Sequence, residues 1–234
     1  MGKVNREKFK VLEGVFDEQT LDTLEFLKRR KYYDELGKPI KTGKEGDVYY
    51  ALKGEKSLAI KIYRVTSANF KKISTYITRD YRFRNIKGNL RKVIMAWSQK
   101  EFRNLQLCHK VGMYVPYTYK QLNNVIIMDY IDGLMLKDTE IEEPEIFFEL
   151  LIEQMKLMKK EANLIHGDLS EFNILVEDQL PVIIDMGQAM NFKNEDDFKE
   201  LYDLYLRDIK NVVNYFNKRY DLDLDLDVVL KQLE

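Results

Sequence analysis

Two acids and one amide, set at fixed intervals around two short apolar segments, constrain this chain more than any other feature. The run His166-Gly167-Asp168-Leu169-Ser170-Glu171-Phe172-Asn173 leads into the apolar segment Asn173 to Glu177. A second segment, Pro181 to Asp185, ends in an acid twelve residues beyond Asn173 and continues as Met186-Gly187. A lone Asp in a loop often does no more than cap a turn, and an Asp before a turn is commonplace. The intervals give these residues a joint reading. Asp168 can accept the proton of a hydroxyl, and the Asn173 amide oxygen and Asp185 carboxylate are hard donors for a divalent cation.

Composition bounds what kind of molecule carries them. With 234 residues, 45% hydrophobic and 33% charged, and only 11 Gly and 4 Pro, the chain reads as an ordered globular protein, either one large domain or two small lobes sharing a cleft. The single cysteine, Cys108, excludes an internal disulfide, suits a reducing cytoplasm and reads as packing. Met1 to Val11 is charged and shows no secretory leader. No run approaches the ~18 apolar residues of a membrane span, so no membrane partner is expected.

The net charge of −1 hides an asymmetry. Up to Lys120 there are 27 Lys and Arg against 13 Asp and Glu, and beyond it 11 against 26. The basic excess is densest from Arg64 to Lys92, where Arg64, Lys71, Lys72, Arg79, Arg82, Arg84, Lys87, Arg91 and Lys92 face only Asp80. Tyr63, Phe70, Tyr76, Tyr81 and Phe83 are interleaved. Bases mixed with aromatics can hold phosphates and stack on unpaired bases, which suits RNA; a solvated, mobile insertion has the same composition.

Asp17 to Lys31 predicts a helix, with acids early and bases late. Ile40 to Leu52 and Ser57 to Tyr63 read as strands, Val93 to Lys110 as a helix stopped by Gly112, and Asn124 to Tyr130 as a strand. Glu145 to Ala162 follows Pro144 with an apolar face of Phe147, Leu150, Leu151, Met155 and Met158, and a long amphipathic helix is expected from about Asp197 to Tyr220. Strands with one helix followed mostly by helices predict an α+β chain, a small sheet lobe on a helical lobe. The expected divisions are 1–39 as a helical extension, 40–128 as the sheet lobe with insertion 64–92, and 129–234 as the helical lobe.

The run at His166 to Asn173 matches the protein-kinase catalytic-loop pattern H-R-D-L-x-x-x-N in every specified place but the second. Asp185-Met186-Gly187 resembles D-F-G, with Gly187 expected to permit the turn that aims Asp185. Lys41 to Val48 fits G-x-G-x-x-G-x-V with Lys41 in the first glycine's place, so Gly43, Lys44, Gly46 and Val48 are candidates to cover a nucleotide. Lys61 lies thirteen residues beyond Val48 in Leu58-Ala59-Ile60-Lys61, which reads as V-A-I-K and adds Ala59 to the candidates. An ammonium in an apolar strand needs an opposite charge; Glu101 and the α- and β-phosphates are the expected partners. Val125 to Ile131 has the character of the lobe connection, with Met128 beside adenine and the backbone of Asp129 and Ile131 at its edge.

The same motifs mark aminoglycoside and choline kinases, but only 36 residues separate Ile131 from Asp168 and 47 follow Gly187, too few for their helical substrate segments. No A-P-E segment follows Asp185, so the activation-loop and peptide-binding segments of ordinary protein kinases are absent as well. The phrases TGKEGDVYYA, LAIKIY, YRFR, WSQKEFRNL, HGDLSEFNIL and IDMGQA, spread over about Ile40 to Tyr220, resemble the RIO family of atypical kinases, specifically its Rio-one subfamily.

That resemblance implies a two-lobed kinase-like fold and dependence on ATP and Mg²⁺, with Mn²⁺ as a substitute. It implies Lys61, Asp168 and Asp185 as catalytic residues and Asn173 and Asp185 as metal ligands. It also implies autophosphorylation on serine, an aspartyl-phosphate at Asp185 with ATPase turnover, and a role in maturing the precursor small ribosomal subunit, with rRNA contacts through Arg64 to Lys92. Ser74, Thr75, Thr78 and Ser98 are candidate phosphoacceptors. Gly167 stands where subfamily members often have Ala, a departure expected to be minor. The remaining alternatives are a small-molecule kinase and a nucleotide-sensing scaffold that binds the ribosome.

Overall fold

The computed structural model describes residues 16–65, 70–80, 82–83, 86 and 89–233. The N-terminal run Met1 to Val11, Tyr81, Arg84 and Lys87, and the side chains of Phe70, Lys71, Lys72, Thr75 and Thr78, lie outside what it describes. The chain forms two compact units, one of residues 1–102 and 118–130 and the other of residues 103–117 and 131–234. The boundary falls inside a long helix, so the units follow neither 39/40 nor a single break at 128/129.

Among the described residues the first element of the first unit is α1 (Glu18–Arg29), whose N-cap Asp17 accepts the Thr20 N–H at 2.9 Å and whose first and last turns carry Glu18 and Lys28 with Arg29. This is the arrangement the charge order predicted. Five antiparallel strands follow: β1 (Glu35–Thr42), β2 (Gly46–Lys53), β3 (Lys56–Tyr63), β4 (Thr118–Leu122) and β5 (Val125–Asp129), in the order β1-β2-β3-β5-β4. β1 begins earlier than its sequence suggests because Pro39 is accommodated on this edge strand between two register shifts. Leu24 and Leu27 of α1, Tyr33, and Leu58, Ile60, Ile62, Val125 and Ile127 of the sheet form one buried cluster.

The basic stretch contains a helix, α2 (Phe70–Arg79), and is followed by α3 (Leu90–Lys110). Ile73 and Ile77 pack with Phe83, Val93, Ile94 and Trp97 in a second cluster, so the described part of this segment is folded rather than a solvated insertion. Its one acid, Asp80, is fully buried and holds Arg82 by two bonds of 2.9 and 2.6 Å. Arg64 pairs with buried Asp47 and Arg91 with Asp17, so among the described bases Arg64, Arg82 and Arg91 are neutralised within the fold. Ser98 on α3 is fully buried, which removes it as a phosphoacceptor of the folded chain.

The second unit is largely helical. It contains β6 (Leu134–Met135), α4 (Pro144–Lys160), β7 (Leu164–Ile165), β8 (Ile174–Glu177), β9 (Leu180–Ile183), β10 (Met190–Asn191), α5 (Glu195–Tyr220) and α6 (Leu226–Leu233). The strands form two small antiparallel sheets, β6-β8-β9 and β10-β7. Phe147, Phe148, Leu151, Ile152, Met155 and Met158 bury one face of α4 as the apolar stripe predicted, although Leu150 itself is only half-buried. Cys108 is buried, and burial pushes its thiol up to about 12, in line with a packing role. The expected α+β architecture is present, and among the described residues no helix is long and apolar enough to cross a membrane.

Candidate active site

In the sheet unit, Lys61 projects from β3 between partners Val48 on β2 and Ile126 on β5. Its side chain is 12% exposed, and Nζ donates to Glu101 Oε1 at 2.8 Å, the carboxylate itself being 1% exposed. The pair expected from the apolar character of the strand is therefore made. Nζ also lies 5.1 Å from the Tyr63 ring centroid, which gives the cation a second electronegative surface.

The glycine segment is built by close approach rather than by unusual dihedrals. A Cβ on Gly46 would lie 2.6 Å from the Ile62 carbonyl oxygen, so only glycine lets β2 start against β3. Gly43 N–H donates to Asp47 Oδ1 at 3.3 Å, and the same carboxylate takes a bidentate grip from Arg64 at 2.8 and 2.9 Å. Asp47, which sequence reasoning passed over, thus ties the turn to the start of the basic stretch. Lys44 is exposed, Val48 half-buried and Ala59 buried opposite Met128. The Asp129 side chain is engaged by Tyr119 and Lys56, leaving its backbone as the part open to a ligand role. Ile131 belongs to the second unit and is half-buried.

In the second unit hydrogen bonds tie Asn173 to the Asp168 backbone and to Ile184, the residue before Asp185. Asn173 Nδ2 donates to the Asp168 carbonyl at 2.8 Å, which leaves the amide oxygen as the atom that could serve as a cation ligand. The Asn173 carbonyl accepts the Ile184 N–H at 3.0 Å, and the Ile184 carbonyl accepts from His166 Nε2, also at 3.0 Å. Because a carbonyl only accepts, that nitrogen carries a proton. Pinned on both sides of Ile184, the chain reverses at the next residue: Asp185 has φ 64. This left-handed backbone costs an L-residue roughly 1–2 kcal/mol, and Asp is among the residues that tolerate it. The positive φ falls on Asp185 and not on Gly187, contrary to the expectation that the glycine makes the turn.

Gly167 has φ 75, so glycine in the second place of the motif matches the backbone that the loop adopts, and the departure is not a trivial one. Its N–H and that of Leu169 donate to Asp208 Oδ2 and Oδ1 at 2.7 and 2.9 Å. Asn211 Nδ2 donates to the Leu169 carbonyl at 3.0 Å, and Arg207 Nη2 donates to that of Gly167. One face of α5 therefore holds the His166 to Asn173 loop by its backbone. Sequence reasoning missed these residues, though Asp208 stood out as a carboxylate in the apolar stripe Leu201, Tyr205, Ile209, Val212, which requires a polar partner. Desolvation raises the Asp208 carboxyl above its ordinary range, partly offset by charge from His166 and by the two backbone bonds.

The donor set fits Mg²⁺. One exposed carboxylate and one amide oxygen are hard oxygen ligands, and among the described residues no cluster of three or more His, Cys, Asp or Glu exists to cage a metal alone. Such a cation shares its coordination with phosphates and water.

A family model described as the RIO domain matches residues 47–229. The chain is 35% identical over 229 residues to the RIO-type serine/threonine-protein kinase Rio1 of Haloferax volcanii, covering 94% of this chain and 76% of that protein. It is 37% identical over 218 residues to the Rio1 of Methanocaldococcus jannaschii, covering 91% and 73%. Among solved structures, the Rio2 kinase of Chaetomium thermophilum matches with TM-score 0.69 at 24% identity over 89% of this chain and 66% of its own. The ADP/Mg²⁺-phosphoaspartate complex of that Rio2 matches with TM-score 0.67 at 23% identity over 89% and 64%. At these identities the structures speak for the fold, which is kinase-like, and the sequence matches speak for the family. The chain belongs to the RIO family of atypical serine/threonine protein kinases, within its Rio1 subfamily.

Proposed function

We propose that this chain is an ATP- and Mg²⁺-dependent serine/threonine kinase that also turns over ATP as a switch, phosphorylates chiefly itself, and acts in the cytoplasm on the maturing small ribosomal subunit. The observation that carries the reading is the pair of hydrogen bonds tying Asn173 to the Asp168 backbone and to Ile184 beside Asp185, which sets a candidate base and two candidate oxygen ligands on neighbouring, mutually braced segments. The names of the Rio1 relatives support the kinase activity. The phosphoaspartate in the Rio2 complex supports the switch.

Bound Mg²⁺, or Mn²⁺ in its place, would draw charge from the phosphates and leave the γ-phosphorus open to attack. Lys61, fixed by Glu101, meets the α- and β-phosphates. Asn173 and Asp185 would hold the cation. In transfer to serine, Asp168 takes the hydroxyl proton as the oxygen–phosphorus bond forms and the bond to the ADP oxygen breaks. In the switch, an Asp185 oxygen attacks instead, giving an acyl-phosphate and ADP, and a water that yields a proton to Asp168 then attacks the phosphorus, breaking its bond to Asp185 and releasing phosphate. The exposed bases of the Arg64 to Lys92 stretch, Arg79 and Lys92 among those described, suit rRNA phosphates.

Incubation with γ-labelled ATP and Mg²⁺ tests the reading. The expected products are acid-stable phosphoserine on the protein and a hydroxylamine-labile label that disappears in Asp185→Asn. Label passing to an aminoglycoside or choline acceptor, with none on the protein, would replace the reading by a small-molecule kinase. ATP binding without either product would replace it by a scaffold.

A further inference from the structure

Gln188 is 9% exposed and lies three residues beyond Asp185, and its Nε2 donates to Asp168 Oδ2 at 2.8 Å. The carboxylate only accepts, so the amide presents its NH₂ group and its orientation is settled by chemistry. The backbone that carries it is held on both sides. Asn104 Nδ2 donates to the carbonyls of Met186 and Ala189 at 2.9 and 3.0 Å, and the Ala189 N–H closes onto the Met186 carbonyl at 3.3 Å. Immediately after Ala189, Met190 pairs with Ile165, the residue before His166. A buried amide is costly unless bonded, and this one is directed at the carboxylate assigned as the base.

We propose that Gln188 is a positioning residue for Asp168. The terminal torsion of an Asp side chain is soft, with a broad two-fold profile. Tying Oδ2 to a donor on a braced segment removes that freedom and presents Oδ1 to the incoming hydroxyl. It also links the base to the segment that carries Asp185, so the catalytic and metal-binding loops move as one piece. The proposal rests on the function proposed above, with Asp168 as the base. No cation ligand is altered by changing Gln188.

Single-turnover and steady-state ATP turnover of Gln188→Ala, Gln188→Glu, Asp168→Ala and the double variant Gln188→Ala/Asp168→Ala test it. The expected result for Gln188→Ala is a kcat lower by about tenfold or more, within what a positioned base supplies, with KM for ATP and the melting temperature nearly unchanged. Gln188→Glu has the same size but no donor and sets like charges together, so its kcat should fall at least as far; a merely space-filling role would leave it near wild type. Adding Gln188→Ala to Asp168→Ala should have no further effect on the residual turnover. Wild-type kcat in Gln188→Ala, a loss confined to KM or folding, or an undiminished effect in the Asp168→Ala background would overturn the inference alone. Turnover insensitive to Asp168→Ala would overturn it together with the reading beneath it.

Discussion

Asp208 and Lys100 are both buried, but their charges are used differently. Asp208 accepts two backbone N–H groups of the His166 to Asn173 loop, and because burial makes its carboxyl a weaker acid in the folded state, the carboxylate weakens the fold at neutral pH. A raised carboxyl contributes stability below its unfolded value and loses it as pH rises through the folded one. Its retention is explained by the loop it holds. Lys100 on α3 is fully buried over the Trp97 ring, and desolvation pushes it down to about 7, with Asp80 opposing that shift and Arg82 adding to it. Between that value and the ordinary 10.5 the unfolded chain binds more protons, so stability should rise with pH across this window. Below about 7 the cost of the buried charge is borne in full. Lys100→Met is expected to melt higher than wild type at pH 7 and to lack most of the wild-type gain between pH 7 and 10, each tenfold change in acidity being worth about 1.4 kcal/mol. Melting curves against pH check this, and parallel profiles for the two proteins would refute it.

At the scale of elements, α1, strands β2, β3, β5, β8 and β9 and the helices α3 to α5 were legible because each keeps one pattern, and the helices carry their own punctuation: Asp17 as N-cap, Gly112 after α3, Pro144 at the head of α4. α2 was not, because its bases dominated the reading although Ile73 and Ile77 stand at helical spacing. What shows their purpose is tertiary, the cluster with Phe83 and Trp97. β4 was equally hidden, since Tyr119, Lys120 and Gln121 do not alternate and the strand pairs only with β5. If α2 is docked as described, Ile77→Ala, which opens a fully buried site, should destabilise the protein by about 2–4 kcal/mol. Chemical denaturation measures this; a loss under about 0.5 kcal/mol is what a surface position gives and would contradict the docking.

For the whole molecule, what could be read in advance was the class of fold, together with a set of candidate residues at fixed intervals along the chain: Lys61, Asp168, Asn173 and Asp185. What could not be read was how distant segments hold that chemistry in place. Asp208 lies 40 residues beyond Asp168, and Asn104 more than 80 residues before the carbonyls it braces, so neither belongs to any local pattern. Gln188 was visible as a mark of the subfamily but not as a donor to Asp168. The structure sharpened Asp185 in particular, moving the strained backbone from the following glycine onto the acid itself. The central claim is that Asp168 and Asp185 drive phosphoryl transfer from ATP. Its most direct test is ATP turnover with Mg²⁺ in wild type, Asp168→Ala and Asp185→Ala, each shown to be folded by its melting curve. The account predicts a fall of about 100-fold or more in both variants, and turnover unchanged in both would contradict it.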